Sequence, residues 1–161
     1  RRRRTFIRPF RIIRWRWKVD HVYAKGNYRL KSGDDYPLRV YVLFAFDPET
    51  AGIGMKLKYG IVKTLYGRYP PHSTLNYIWA NRPEETEPVF SPYTDRSIMI
   101  PLRRGPEKVG QWVEESVNVL EDYRRFFGGN PPPQAALAIM NDSDNTGERS
   151  TAYIEFMEVL K

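Results

Sequence analysis

Acidic and amide side chains crowd into the segment "NDSDNTGE" (residues 141–148), directly after the apolar run "AALAIM". Carboxylate, amide and carbonyl oxygens are the ligands that Ca²⁺ prefers in proteins. The spacing begins like an EF-hand loop, but its twelfth position is Tyr153 instead of the bidentate Glu, and both flanks read as strands. An irregular calcium loop is therefore the interpretation that involves chemistry. Its predicted ligands are Asp142, Asp144, Asn145 and Glu148, with Glu155 as a further candidate.

The same segment has a purely structural interpretation. Asp and Asn side chains bond readily to nearby backbone groups and so build tight polar connections between strands. Five oxygen-bearing side chains are more than a turn requires, and both interpretations stay open at this point.

A second group of residues is typical of sugar recognition, which combines an aromatic surface with planar amide and carboxylate groups. The two aspartates of "SGDDY" could bond a sugar hydroxyl or pair with a nearby arginine, or could simply cap a turn. Tryptophan in "LNYIWAN" could equally be core, because it lies on a predicted strand. The predicted ligand-binding residues are Asp34, Asp35, Arg39, Asn76, Trp79, Asn81, Tyr93, Asp95 and Trp112.

Catalytic motifs are largely missing from the sequence. It has no Gly-x-Ser-x-Gly elbow and no P-loop, and "GIGMKL" lacks the third glycine of a dinucleotide fingerprint. The absence of cysteine excludes thiolate chemistry, and the presence of only two histidines argues against a multi-histidine metal centre. We assign no catalytic residue. A carboxylate-dependent hydrolase stays a third hypothesis, with Asp34, Asp35, Asp95, Asp142, Asp144 and Glu148 available in pairs.

Positive charge is concentrated at the start of the 161-residue chain. Nine of the 26 Lys and Arg residues lie in residues 1–18, which contain no acid, so the other 17 face 19 acidic residues. We predict a basic arm at residues 1–13 and a single domain at 14–161. Because the chain starts without methionine or an apolar segment, we expect a processed form or a fragment. No apolar run approaches the length of a membrane-spanning helix.

The elements that must position these residues are mainly strands. From Arg14 onward, "RWRWKVD" alternates cationic and apolar residues, as a half-buried strand does. This alternation separates Trp15 and Trp17 from the cations, so we expect the two tryptophans in the core and no nucleic-acid ligand there. Further strands are predicted in "LRVYVLFAF", "STLNYIWA", "SIMIPL", "QWVEESVNV", "QAALAIM" and "TAYIEFMEVL".

Two short helices and a long loop complete the expected elements. Apolar residues at helical spacing in "GIGMKLKYGIVKTLYG" (residues 52–67) predict an amphipathic helix, and "LEDYRRFFGG" predicts one that ends at its glycines. The stretch "NRPEETEPVFSPYTDR" reads as a long ordered loop. The expected fold is all-β: an antiparallel β-sandwich of jelly-roll or galactose-binding-like type with one or two short helices.

Several segments together resemble a bacterial family of proteins of unknown function, the family numbered 3047. They are "RWRWKV", "KSGDDYPLRVYVLF", "LNYIWAN", "SPYTDR", "GQWVEESVNVLEDYRRFFG", "PPPQAALAIMNDSDNTGE" and "TAYIEF". The resemblance implies a jelly-roll sandwich like those of carbohydrate-binding modules, and an exported protein in the periplasm or outside the cell. It implies no activity.

These observations lead to a functional expectation with one main alternative. We expect a non-catalytic binding module for carbohydrate or another polyhydroxylated small molecule, with Ca²⁺ as a structural ion at most. The alternative is a structural subunit of a larger assembly, docked through its arginine-rich arm on an acidic partner protein.

Overall fold

Strands are the predominant secondary structure of the computed structural model, which describes residues 11–46, 52–54 and 71–160. Its described part contains one α-helix, a short 3₁₀ turn at Lys31–Gly33 and eight strands. The strands are β1 (Ile12–Val19), β2 (Arg39–Phe44), β3 (Ser73–Ala80), β4 (Val89–Ser91), β5 (Thr94–Arg104), β6 (Val113–Asn118), β7 (Ala135–Met140) and β8 (Ala152–Leu160), and the helix α1 spans Val119–Phe127.

The strands form two sheets. One has three strands in the order β6-β1-β8, and the other has five in the order β4-β5-β3-β2-β7. All pairs are antiparallel except β3 with β5, which run parallel. The predicted all-β sandwich is confirmed, and the parallel pair is its one departure from a purely antiparallel arrangement among the described strands.

The main core lies between the two sheets. In β1 every second residue is fully buried, including Trp15 and Trp17, while the intervening residues are partly exposed. The two indole rings meet edge to face, with centroids 5.5 Å apart, and Trp17 also packs against Trp79 of β3. The sequence prediction that the tryptophans of β1 are core residues is confirmed.

The outer face of the five-stranded sheet carries a second, smaller core. Ile78 and Met99 point away from the main core and pack with Tyr28 and Tyr36, which belong to the segment before β2. This segment therefore covers part of the sheet. No described element packs on the outer face of the three-stranded sheet in the same way.

Helix α1 begins where its sequence provides a cap. The Asn118 side chain accepts a hydrogen bond from the Glu121 amide, and the helix ends before Gly128, whose φ is +72°. Tyr123 on its buried side packs against Phe44 of β2 at 4.7 Å between ring centroids. Within the described residues, no helix is both long and apolar enough to cross a lipid bilayer.

Most of the predicted elements are confirmed, with two differences. The segment predicted as a long loop contains β4 and the start of β5, so that prediction was wrong in part. Strand β1 begins at Ile12, two residues before the predicted start of the domain. The amphipathic helix predicted for residues 52–67 lies outside the described residues except for 52–54, and the basic arm lies outside them except for 11–13.

Candidate functional site

The loop after β7 is attached to the segment before β2 through the carboxylate of Asp35. This residue is 0% exposed, and its oxygens accept hydrogen bonds from the Asn145 backbone amide (3.0 Å), the Asn145 side chain (3.0 Å) and the Thr146 amide (2.6 Å). Burial alone would raise the pKa of Asp35, but these hydrogen bonds outweigh it and lower the pKa. The ionised form of Asp35 is therefore stabilised. Its carboxylate holds the "NDSDNTGE" loop in place although Asp35 itself belongs to another segment.

Arg39 at the start of β2 binds the aspartates on either side of it. Its guanidinium contacts the carboxylate of Asp142 directly and lies 3.8 Å from that of Asp34. The guanidinium also lies over the Tyr36 and Tyr41 rings, 4.9 and 5.2 Å from their centroids. The predicted pairing of an "SGDDY" aspartate with Arg39 is thus present, and Asp142 joins it.

The electrostatic balance of this cluster is negative. Burial raises the pKa of Asp142 to about 6, although Arg39 lowers it, and Asp34 and Asp35 add to the rise. Burial likewise raises the pKa of Asp34 against the opposing effect of Arg39. One guanidinium does not compensate these buried and half-buried carboxylates, so the cluster favours either a proton or a further positive charge.

Three carboxylates lie close enough to share a metal ion. The potential ligand atoms of Asp35, Asp142 and Asp144 all lie within 4.8 Å of one another. Glu148 is not in this group: its two oxygens accept the backbone amides of Ala24 and Lys25 at 2.9 and 2.8 Å.

Of the other two predicted metal ligands, Asn145 lies beside this group, because its side-chain amide donates to Asp35. Glu155 forms an ion pair with Arg16 at 2.7 Å on a different surface. A cation at the loop would therefore contact the three aspartates, with Asn145 next to them.

Three of the predicted ligand-binding residues are buried and bonded inside the protein. Asn76 donates to the Ser97 hydroxyl at 2.7 Å and to the Ile98 carbonyl at 3.1 Å. The Trp79 ring is fully buried, and the Asn81 side chain links the Tyr23 amide to the Asp35 carbonyl. These side chains hold strands and loops together and present no surface to a ligand.

The remaining predicted residues lie on the surface but at separate places. Tyr93 is 57% exposed, donates its hydroxyl to the Lys31 carbonyl and lies under the Lys31 ammonium, with Asp95 exposed near it at the start of β5. Trp112 lies just before β6, on the other sheet. The structure thus does not gather the predicted ligand residues into one site.

Trp112 does form part of a surface that combines aromatic and charged groups. It lies just before β6 and Tyr153 lies at the start of β8, on either side of the final residues of β1. The two rings are 6.3 Å apart at an angle of 62°, and their residues are 37% and 46% exposed. We call these two rings, with Arg16 and Lys18 of β1, the aromatic platform.

The cations of the platform rest on its rings. The Lys18 ammonium lies 5.0 Å from the Trp112 ring centroid and 4.7 Å from that of Tyr153, and the Arg16 guanidinium lies 5.6 Å from that of Trp112. Such contacts stabilise exposed cations by about 0.5–1 kcal/mol each. Glu155 beside Arg16 adds a carboxylate, so the platform offers aromatic faces, donors and an acceptor on one open sheet face.

Compared with known protein families, the chain matches over residues 2–158 the family described as protein of unknown function (DUF3047). It belongs to this family. The family resemblance expected from the sequence is thereby confirmed. No curated protein and no solved structure matches the chain.

Two important residues of this DUF3047 chain escape prediction from the sequence. Glu85 is buried and accepts the amides of Tyr28, Asn81 and Arg82 at 2.9, 3.0 and 3.1 Å, because the turn after β3 folds back on the segment before β2. Tyr153 reads in the sequence as an ordinary strand residue. The period-two pattern of β8 places it on the face opposite the core, and this signal, combined with Trp112, would suggest an exposed aromatic pair.

Proposed function

We propose that this DUF3047 chain is a non-catalytic binding module that recognises a polyhydroxylated ligand, in the first place carbohydrate, at the aromatic platform. The observation that carries the proposal is the pair of partly exposed rings, Trp112 and Tyr153, which are neighbours inclined at 62° on an uncovered sheet face. Sugars bind to proteins by packing their apolar faces on aromatic rings while their hydroxyls bond to surrounding polar groups. Arg16 and Glu155 lie next to the rings and supply a donor and an acceptor.

The carboxylates are what favour a binding module over a hydrolase. The carboxylate oxygens of Asp35 and Glu148 accept hydrogen bonds from backbone amides. Those of Asp142 bind to Arg39 and to the Tyr36 amide. A glycosidase needs two carboxyl groups that face the substrate: an acid with a nucleophile about 5 Å away, or an acid with a base more than about 6.5 Å away. The raised pKa of Asp142 follows from burial among other carboxylates and does not require a substrate.

The test is affinity for a panel of neutral and acidic polysaccharides, measured by retention in affinity gels and by calorimetry. Trp112→Ala and Tyr153→Ala should each weaken binding about tenfold or more, since truncating a central aromatic residue removes most of its contact area. Tyr93→Ala is the matched control, because Tyr93 is an exposed ring that also carries a lysine, but on the other sheet. Loss of binding in Tyr93→Ala alone would move the site away from the platform.

We also propose that a calcium ion, where present, is structural and binds to Asp35, Asp142 and Asp144. The support is their mutual proximity and the excess of negative charge around Arg39. Calcium should then raise the melting temperature, because binding to the native state stabilises it. Chelator should cancel the rise and Asp144→Ala should abolish it, whereas Glu87→Ala, a change at an exposed acid elsewhere, should leave it intact. An unchanged melting temperature at millimolar calcium would mean that the loop is a polar connection that binds no calcium.

The location and the partner remain part of the proposal. An extracytoplasmic location rests on the family resemblance alone. The alternative role as an assembly subunit depends on the basic arm, most of which lies outside the described residues.

A further inference from the structure

The ammonium group of Lys18 is the cation of the platform that has no carboxylate partner within the described residues. Its neighbours on β1 are paired: Arg14 with Glu158 at 2.8 Å and Arg16 with Glu155 at 2.7 Å. The Lys18 ammonium lies over the two neutral rings, and no described residue provides a hydrogen-bond acceptor for its three donors. The position between Trp112 and Tyr153 places that charge where a ligand on the rings would meet it.

We propose that the ligand of the aromatic platform is an acidic sugar chain, whose carboxylate pairs with Lys18 while a sugar ring packs on Trp112 or Tyr153. This inference rests on the proposed function and gives the ligand its charge. A carboxylate beside the ring-bound ammonium would form a charge-assisted hydrogen bond, which is stronger than a bond between neutral groups. A neutral sugar would offer the ammonium hydroxyl oxygens as acceptors but no opposite charge.

The charges around Lys18 favour a sugar acid over a polyphosphate. Glu114, Glu155 and Glu158 contact Arg14 or Arg16 on the same sheet face, so the cations and acids there nearly balance. Binding a nucleic-acid backbone requires several cations that track closely spaced phosphates, and carboxylates between them would repel it. An acidic sugar carries one carboxylate among several hydroxyls, and these hydroxyls can donate to the glutamates.

The experiment compares an oligogalacturonide with the same oligosaccharide after methyl esterification, which removes the charge and keeps the sugar ring. Calorimetry with the wild-type protein should show the acid bound roughly fivefold or more tightly than the ester, and the difference should shrink as salt is added. In Lys18→Met, which keeps an apolar stem of similar length, the two ligands should bind equally. Lys31→Met is the control, because Lys31 lies over Tyr93 at 5.2 Å on the other sheet and should not affect either affinity.

The outcomes separate this inference from the proposed function. If neither oligosaccharide nor any neutral polysaccharide of the panel binds, the proposed function fails and the inference fails with it. If acid and ester bind equally to the wild type, or if Lys18→Met keeps the preference for the acid, the module stands and the inference is overturned. Tighter binding of a single-stranded oligonucleotide than of the oligogalacturonide, lost in Lys18→Met, would replace the sugar acid by a nucleic acid.

Discussion

Removing the Asp35 carboxylate tests whether the loop after β7 is held by hydrogen bonds or by a metal ion. In Asp35→Ala three donors lose their acceptor. The two donors of Asn145 lie on an exposed residue and can turn to water, whereas the amide of Thr146 belongs to a residue that is buried and cannot. A buried donor without a partner costs about 1–3 kcal/mol, and the lost bond to a charged acceptor adds to this cost.

We therefore expect Asp35→Ala to lower the free energy of unfolding by about 2–4 kcal/mol. For a domain of this size each kcal/mol corresponds to about 2–4 °C, so the melting temperature should fall by about 5–15 °C. The assay is urea and thermal unfolding followed by circular dichroism, with excess chelator throughout. Asp35→Asn, which keeps one acceptor oxygen but loses the charge, should fall between the wild type and the alanine variant.

Asp144→Ala is the internal control. Asp144 is an exposed neighbour in the same acidic group, with no hydrogen bond from any described residue, so its removal should change stability by less than about 0.5 kcal/mol in chelator. If Asp35→Ala and Asp144→Ala were equally stable in chelator and differed from the wild type only when calcium is present, the hydrogen-bond account would be refuted. Both residues would then act through a metal ion.

Three further predictions concern the buried polar groups. Arg39→Lys should lower the free energy of unfolding by about 3 kcal/mol or more, as measured by urea unfolding. The reason is that a lysine cannot reproduce the planar guanidinium that contacts Asp142 and two tyrosine rings. A loss below about 1 kcal/mol would contradict this explanation. Burial raises the pKa of Asp122, although its hydrogen bond from the Tyr77 hydroxyl (2.7 Å) opposes the shift, so its ionisation disfavours the folded state. The free energy of unfolding of the wild type should thus fall relative to that of Asp122→Asn as the pH rises from below 3.8 through the raised folded pKa. A difference in free energy of unfolding that stays constant from about pH 3 to about pH 7 would rule this out. A Cβ at Gly26 would overlap the side chain of Asn81, which joins two loops, so Gly26→Ala should lower the melting temperature by several degrees in a thermal scan. Gly110→Ala is the control: the space around Gly110 is open, so this variant tests only the cost of a positive φ.

The strands can be predicted because their patterns are local. Alternation in "RWRWKV" is enough to predict that Trp15 and Trp17 lie in the core, and their complete burial confirms it. Strand β4 escapes prediction because it has only three residues and lies beside two prolines, which is too little pattern for a local argument. Local patterns also do not predict the parallel pairing of β3 with β5, since pairing direction depends on the path of the connecting chain.

The candidate site is harder to predict because its residues serve a structure that is not local. Asp35 and Thr146 lie far apart in sequence but are joined by a hydrogen bond, and the same is true of Glu148 and Lys25. The sequence does not distinguish a carboxylate that accepts hydrogen bonds from backbone amides from one that binds a ligand. The acidic segments are visible in the sequence. Which of their carboxylates accept backbone amides, however, is decided by where those amides lie in the folded structure.

The two outer faces of the sandwich indicate where function can reside. On the five-stranded sheet, the segment before β2 covers part of the outer face with Tyr28 and Tyr36, and the acids around it are bonded to backbone amides and to Arg39. These groups are committed to folding, so a ligand that displaced them would have to break buried hydrogen bonds at a cost of about 1–3 kcal/mol each. On the three-stranded sheet, Trp112 and Tyr153 remain partly exposed, although burying them would stabilise the chain. Under the proposed function, a ligand bound at the platform would contact the exposed surface of these rings and the Lys18 ammonium, which has no acidic partner among the described residues.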